Sequence, residues 1–228
     1  MKNSKKFKIF IACDTNKIAQ VKKIIKHTKS NRLIIGYKFG LEFLNSKNGR
    51  NFVSKLKKKI IFADLKLHDI PNTCVSAIKA IKDLKVNYLT IHISSGLNAL
   101  SAAKKAAGKI KLVGVTILTS LDNEALREIG FKKNVKELVL HQAKLAKKAK
   151  LDGIVCSGHE IKKIKRICKN MEIITPGIRL TGDKKQDQQR VMSPKQAFKN
   201  GANSIVVGRS ITKGNIKKNI KRLLNSLN

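Results

Sequence analysis

Short apolar runs alternate along this chain with longer segments in which apolar residues recur every three or four positions. The short runs are typical of β-strands buried on both faces, and the longer segments are typical of amphipathic helices. The predicted strands are residues 8–13, 33–37, 60–65, 88–93, 112–117, 153–156, 172–175 and 204–207. The clearest predicted helices are residues 18–28, 73–84, 135–149 and 161–168.

Eight strand–helix units in 228 residues predict an α/β fold, a single (β/α)8 TIM barrel. A doubly wound open sheet is the alternative, but no Gly-x-Gly-x-x-Gly motif follows the first predicted strand. No break in composition and no internal repeat marks a second unit. We therefore expect one domain over residues 1–228.

The charge balance is unusual, with 50 Lys and Arg against 14 Asp and Glu and a formal net charge of +36. Such a balance suits a nucleic-acid partner. However, the lysines are spread from end to end, and 4% aromatic residues with no Trp leave few platforms for stacked bases. We expect a solvated lysine surface and no specific nucleic-acid partner; a basic barrel that binds polyanions is the alternative from another class.

Targeting and redox signals are weak. No apolar run approaches 18 residues, which predicts no transmembrane helix and no membrane partner. The basic N-terminus is followed by an apolar stretch that ends at Asp14, too short for a signal peptide, so we expect a cytoplasmic protein. The four cysteines form no Cys-x-x-Cys pair and no zinc spacing, which predicts reduced thiols in the core.

Charged residues stand where the first three predicted strands end. The first strand ends at Asp14, the second closes on Lys38, and the third carries Asp64 and Lys66. In (β/α)8 barrels the chemistry lies at the carboxyl ends of the strands. An ion pair of Asp64 with Lys66 could be structural, but charges that converge from three adjacent strand ends favour a functional site.

A second cluster follows the last two strands. Pro176 and Arg179 begin the loop after the seventh strand, and Gly208 with Arg209 ends the eighth. These loops form the usual phosphate site of the fold, and an arginine can bind a phosphate through two parallel hydrogen bonds.

The run at residues 64–73, Asp-Leu-Lys-Leu-His-Asp-Ile-Pro-Asn-Thr, resembles the orotidine 5′-phosphate decarboxylase family. An Asp-x-Lys-x-x-Asp core is shared with sugar-phosphate decarboxylases, and the extension through His68 and residues 70–73 makes the resemblance specific. Further matching blocks, in the order of the family, are residues 37–40, 115–120, 151–157, 175–179 and 207–212.

This resemblance implies a carboxy-lyase that converts orotidine 5′-phosphate to UMP and CO2, in pyrimidine synthesis, with no metal and no organic cofactor. It implies a charge network of Lys38, Asp64, Lys66 and Asp69, with Lys66 as proton donor. It also implies a homodimer in which Asp69 and Ile70 enter the partner's site. The residues implied to bind substrate are Asp14, Lys38, Asp64, Ile70, Thr119, Pro176, Arg179, Gln188, Gly208 and Arg209.

Three points stay open at this level. Gln186 and Gln189 compete with Gln188 for the phosphate, and the loop 177–190 has the composition and length of a lid. His68 and His92 are interpreted as hydrogen-bonded structural histidines. A magnesium-dependent sugar-phosphate lyase or epimerase on the same barrel is the nearest alternative function.

Overall fold

The computed structural model describes residues 6–183 and 190–227. Eight parallel strands pair in chain order, and the last pairs with the first, so the sheet closes into a barrel. This confirms the predicted (β/α)8 fold. The strands are β1 Phe7–Ala12, β2 Leu33–Gly40, β3 Ile60–Leu67, β4 Tyr88–His92, β5 Lys111–Val115, β6 Gly153–Val155, β7 Glu172–Thr175 and β8 Ser204–Val207.

Helices surround this barrel. They are α1 Ile18–His27, α2 Leu41–Leu44, α3 Gly49–Ser54, α4 Pro71–Ile81, α5 Gly96–Ala107, α6 Asn123–Glu128, α7 Val135–Lys148, α8 Ile161–Ile167, α9 Pro194–Asn200, α10 Arg209–Thr212 and α11 Ile216–Asn225. Two 3₁₀ turns, Lys82–Leu84 and Ile93–Ser95, join the set. The order of elements agrees with the sequence pattern, and the prediction of one domain over residues 1–228 stays a prediction.

Some predicted boundaries were wrong, and the errors have physical reasons. Strands β2 and β3 each run two or three residues further than expected, because Lys38 and Lys66 lie within the strands rather than after them. Helix α4 begins two residues earlier, at Pro71, whose fixed φ angle suits the first turn of a helix. Its predicted end, Leu84, lies in the 3₁₀ turn.

Side chains that alternate along the strands fill the barrel. Phe10, Phe62 and Tyr88 form its aromatic centre, with ring centroids 4.9 Å apart for Phe10–Phe62 and 5.1 Å apart for Phe10–Tyr88. Gly36 leaves room for this packing, since a Cβ atom there would lie 2.7 Å from the Phe10 ring. The interior is therefore a packed core, and open space begins only above it.

A second and larger core lies between the outer face of the sheet and the helices. All four cysteines are buried without disulfides, which agrees with the prediction of core thiols. Burial raises the pKa of the Cys13 thiol to about 12, so this group stays protonated. Among the described residues, no helix is long and apolar enough to cross a membrane.

A charged cluster closes the barrel at the amino ends of the strands. The Glu172 carboxylate accepts from Lys8 Nζ at 2.8 Å, from Lys111 Nζ at 3.1 Å and from the Tyr88 hydroxyl at 3.1 Å. Burial alone would raise the pKa of Glu172, but the hydrogen bonds and charges of the two lysines lower it below its usual range. The carboxylate is thus ionised and shared by three donors from three other strands.

Candidate active site

The site begins with an irregularity in strand β3. Its pairing with β4 shifts register between Ala63 and Leu67, so extra β3 residues stand opposite a short stretch of β4. Lys66 lies in this bulge with φ of +49°, in the left-handed region. For an L-residue that conformation costs roughly 1–2 kcal/mol. The Lys66 amide donates to Thr90 Oγ1 at 2.8 Å, and this hydrogen bond helps to hold the backbone in that conformation.

The bulge completes an alternating chain of charges. The Asp64 Oδ2 atom lies 2.8 Å from Lys66 Nζ and 3.1 Å from Lys38 Nζ. Lys38 Nζ also contacts Asp14 Oδ1 at 3.2 Å. The order Asp14, Lys38, Asp64, Lys66 therefore joins strands β2 and β3 with the segment that follows β1. The two lysines of this charge network differ in exposure. The side chain of Lys38, between two carboxylates, is 13% exposed, and that of Lys66, at the end of the network, is 34% exposed.

The two inner members of the chain are both held in their charged forms. Burial by itself would raise the pKa of Asp64, but the charges of Lys38 and Lys66 outweigh it and lower that pKa. Burial would likewise lower the pKa of Lys38, and the carboxylates of Asp64 and Asp14 reverse the effect and raise it. An ionised carboxylate between two ammonium groups therefore lies beneath the mouth of the barrel.

Thr90, which is not among the predicted site residues, contacts two members of this network. Its hydroxyl donates to Asp64 Oδ1 at 3.0 Å and accepts from the Lys66 amide, and the residue is fully buried. One hydroxyl thus fixes both the carboxylate and the bulge. The available signal was a polar residue two positions after Tyr88, on the strand face that points into the barrel.

The chain of charges forms one wall of a cavity of about 330 Å³ at the carboxyl ends of the strands. The opposite wall carries Arg179 and Arg209 from the loops after β7 and β8. A Cβ atom at Gly208 would lie 3.8 Å from the Asp14 carboxylate, so the two walls meet there. The lining residues are Ala12, Asp14, Lys38, Phe62, Asp64, Lys66, Val115, Leu118, Thr119, Ser120, Val155, Pro176, Gly177, Arg179, Val206, Gly208 and Arg209.

Two of the predicted site residues, Asp69 and Ile70, are not among the residues that line this cavity. The Asp69 carboxylate accepts from the Ile70 amide at 2.7 Å, and Ile70 is 66% exposed. Gln188 lies outside the described residues, as do Gln186 and Gln189, so their order of preference stays a prediction. The predicted lid is described only as far as Asp183 and again from Arg190.

His68 and His92 form a pair beside the charges. Their ring centroids are 5.3 Å apart, and His68 Nε2 lies 3.3 Å from the Ser94 hydroxyl. Burial lowers the pKa of His92, and electrostatic interactions with His68 and Lys66 act in the same direction. The prediction of hydrogen-bonded histidines is met for His68. Within residues 6–183 and 190–227, no three His, Cys, Asp or Glu side chains are grouped to hold a metal ion.

The cavity combines three kinds of surface. One wall carries the alternating carboxylates and ammonium groups, the other carries the two arginines, and the floor is apolar and includes Phe62, Val155 and Val206. Apolar surface with a few charged groups in one concave space is typical of a site for a small molecule. A closed (β/α)8 barrel with such a site at the carboxyl ends of its strands has the arrangement typical of enzymes of this fold.

Comparison with known proteins gives the family. Residues 8–222 match the model of the Orotidine 5′-phosphate decarboxylase / HUMPS family, and the chain belongs to this family. A relative from Wolbachia sp. subsp. Brugia malayi, named orotidine 5′-phosphate decarboxylase, is 46% identical over 82% of this chain and 84% of its own. One of the same name from Sphingopyxis alaskensis is 40% identical over 90% and 91%.

Solved structures agree with this result. The crystal structure of orotidine 5′-phosphate decarboxylase from Lactobacillus acidophilus superimposes with a TM-score of 0.82 at 32% identity. The match covers 97% of this chain and 99% of that one. The resemblance inferred from residues 64–73 is thereby confirmed.

Proposed function

We propose that this chain decarboxylates orotidine 5′-phosphate to UMP and CO2, a step of pyrimidine synthesis. The prediction of an enzyme of the carboxy-lyase class is confirmed by the family and by the curated relatives. The observation that carries the substrate assignment is the cavity itself, in which the Asp14–Lys38–Asp64–Lys66 chain faces Arg179 and Arg209 across about 330 Å³.

The two walls suggest how the substrate lies. Arg209 and Arg179, with Gly208, take the phosphate, because an arginine fork matches the geometry of a phosphate. Asp14 and Lys38, on the wall that meets Gly208, take the ribose hydroxyls. The pyrimidine then rests on the apolar floor near Thr119 and Pro176, with its carboxylate toward Lys66. Gln188 is a further proposed phosphate ligand, carried by the family resemblance alone.

The chemistry centres on Lys66. The bond between C6 and the carboxylate breaks, CO2 leaves, and the electron pair stays on C6. Lys66 Nζ then gives a proton to C6 and is reprotonated from solvent. Its exposed fraction, 34%, supports this role, because the more buried ammonium of Lys38 lies between two carboxylates. Asp64 holds the Lys66 ammonium in position at 2.8 Å.

Magnitudes show that Lys66 does not act alone. An ammonium about 4 Å from a carbanion contributes roughly 4 kcal/mol at an effective dielectric constant near 20. Enzymes typically lower barriers by about 8–23 kcal/mol. The remainder has to come from substrate positioning and from the binding energy of the phosphate. We propose that this division of labour needs neither a metal nor an organic cofactor.

We also propose that the active unit is a homodimer. Asp69 and Ile70 do not line the cavity of their own chain. Ile70 and Leu41 are 66% and 53% exposed, which leaves apolar surface for a second copy. In the dimer Asp69 joins the charge network of the partner. Mixing inactive Lys66→Ala and Asp69→Ala proteins then restores part of the activity. No recovery despite verified subunit exchange would contradict shared sites.

The decisive experiment follows the pyrimidine absorbance of orotidine 5′-phosphate in EDTA, with wild type beside Lys66→Ala. We expect conversion by the wild type and a loss of roughly a thousandfold or more in the variant. Wild-type conversion only after Mg²⁺ is added would overturn the metal-free mechanism. No conversion by folded protein would overturn the substrate assignment and direct attention to magnesium-dependent sugar phosphates.

A further inference from the structure

The side chain of Arg190 connects three loops at the mouth of the barrel. Arg190 itself lies in the loop after β7, and its Nη1 atom donates to Glu160 Oε1, in the loop after β6, at 2.6 Å. Its Nη2 atom reaches the carbonyl oxygen of Leu118, in the loop after β5, at 3.4 Å. Leu118 and the next residue, Thr119, both line the cavity. The guanidinium therefore lies directly behind one wall of the site.

A contribution to folding stability does not by itself explain the ion pair of Arg190 and Glu160. The side chains of Arg190 and Glu160 are 18% and 9% exposed, so both charges have lost most of their water. Burial raises the pKa of Glu160, and the charge of Arg190 opposes that rise only in part. Glu160 Oε2 and Arg190 Nε also lack a hydrogen-bond partner among the described residues. Apolar side chains of similar volume are often as stable as such a pair, so the pair points to a positional role.

The backbone next to Arg190 is held by hydrogen bonds and packing at Met192. Two residues on, the Met192 amide donates to the Gly177 carbonyl and the Met192 carbonyl accepts from the Arg179 amide, each at 3.1 Å. Gly177 and Arg179 line the cavity. Gly158 packs so closely on Met192 that a Cβ atom would meet its sulfur at 2.5 Å. The Arg190 guanidinium thus links this anchored segment to the carbonyl of Leu118.

We propose that Arg190 is a positioning residue for the loop after β5, and that Glu160 orients its guanidinium for this task. Arg190 holds the Leu118 carbonyl, and Thr119 is thereby kept against the pyrimidine end of the ligand. The inference rests on the proposed function, because it takes the ring to lie near Thr119. It differs from a phosphate role, which belongs to Arg179 and Arg209 on the other wall.

The test uses ligands that contain or lack the ring. Calorimetry measures Kd for UMP and for ribose 5-phosphate in wild type, Arg190→Met, Arg190→Lys and Glu160→Gln. The matched control is Arg50→Met, since Arg50 Nη2 also donates to a carbonyl, that of Ala80, and to a carboxylate, that of Asp83, both at 2.6 Å. These partners lie in another part of the fold, around α3 and α4.

We expect Arg190→Met to weaken UMP binding by about tenfold and ribose 5-phosphate binding by less than twofold. Arg190→Lys and Glu160→Gln, which keep part of the contact, give intermediate values, and they serve if Arg190→Met does not fold. Arg50→Met changes neither Kd. Equal weakening of both ligands, or none of either, would overturn the positioning role. A wild type that binds no UMP would overturn the proposed function as well, so the two failures are distinguishable.

Discussion

The two ends of the barrel hold the same chemical motif in different surroundings. At the amino ends of the strands, Glu172 lies between Lys8 and Lys111. At the carboxyl ends, Asp64 lies between Lys38 and Lys66. Both carboxylates are buried, and the lysine charges lower both pKa values. A buried carboxylate with two lysines is therefore not by itself evidence of catalysis.

The backbone separates the two motifs. Among the described residues, four non-glycine residues have positive φ, and Lys66 alone of these lies within a strand. Lys8 and Lys111, the lysines that contact Glu172, lie near the start of β1 and β5 and are not among these four residues. Within the described strands, this strained backbone conformation is thus found at the lysine whose side chain lines the cavity. The motif around Glu172 thus joins strands at the amino ends of the barrel, whereas the motif around Asp64 places a lysine of strained backbone in the wall of the cavity.

The largest contrast is expected in activity. Asp64→Asn removes the charge that holds Lys66 and Lys38 in place, and we expect kcat/KM for orotidine 5′-phosphate to fall by roughly a thousandfold or more. Glu172→Gln, at the other end of the same barrel, leaves kcat/KM within about threefold. Steady-state assays on both purified proteins measure this. Comparable losses in the two variants would remove the distinction between the ends.

The motif around Glu172 is expected to matter for stability instead of activity. Removing one partner of a buried ion pair typically costs about 3–5 kcal/mol. Lys111 is 50% exposed and can turn to solvent, so we expect Glu172→Gln to lower the free energy of unfolding by about 2–3 kcal/mol. Urea denaturation at pH 7 measures the change. An unchanged midpoint would show that this cluster contributes nothing to stability.

The same variant gives a pH dependence with a defined sign. The pKa of Glu172 is lowered in the folded state, so its contribution is present above the unfolded value of about 4.3 and is lost as the pH falls through the folded value. The pKa values of Lys8 and Lys111 are raised, so their contribution is lost only above about 10.4. The stability difference between wild type and Glu172→Gln is therefore widest from about pH 5 to pH 10. A stability difference between wild type and Glu172→Gln that increases in acid would contradict a lowered pKa of Glu172.

A smaller effect is expected from one hydroxyl. Thr90→Val removes the hydrogen bonds to Asp64 and to the Lys66 amide, and we expect about a tenfold loss of kcat/KM and a loss of about 1–2 kcal/mol in stability. Thr175→Val is the matched control, because Thr175 is fully buried and its Oγ1 atom has no partner among the described residues. Equal effects of the two substitutions would mean that the Thr90 contacts do not matter.

The smallest expected effect concerns lysines in left-handed turns. Lys58, Lys85 and Lys150 have φ near +50°, as Lys66 does, but lie outside the strands. Glycine adopts this conformation without strain, and its greater freedom in the unfolded chain offsets part of the gain. We expect Lys150→Gly to stabilise the protein by up to about 1 kcal/mol with unchanged activity. Destabilisation in urea would show that the Lys150 turn is not strained.

Much of the fold and of the site could be predicted because both follow strand alternation. Phe10, Ala12 and Asp14 lie on one face of β1 and its extension, so the polar residue that follows an inward apolar pair reaches the mouth of the barrel. The same alternation leads from Phe62 to Asp64 on β3. Buried strands with charged ends are visible in a single sequence.

Other features were harder to predict, for a physical reason. Thr90 stands in a strand where threonine is common, so its inward polar position alone does not identify its role, which becomes clear from its contacts. The bulge at Lys66 depends on the pairing of β3 with β4, which no local pattern encodes. Glu172 and Lys8 are 164 positions apart, and Arg190 and Glu160 are 30 apart. Such pairs are created by closure of the barrel and by the meeting of its loops.

Closure of the sheet also has an evolutionary consequence. Each of the eight barrel strands has a neighbour on both sides, so the described part of the chain leaves no strand edge of the barrel that needs protection from intermolecular pairing. The outer faces of the helices can then accept almost any soluble side chain, provided that the buried stripes stay apolar. A chain with a net charge of +36 can thus drift far in surface composition while the inward positions keep their chemistry. Substitutions on the outer surface are therefore expected to cost little stability, whereas substitutions at the inward positions cost more.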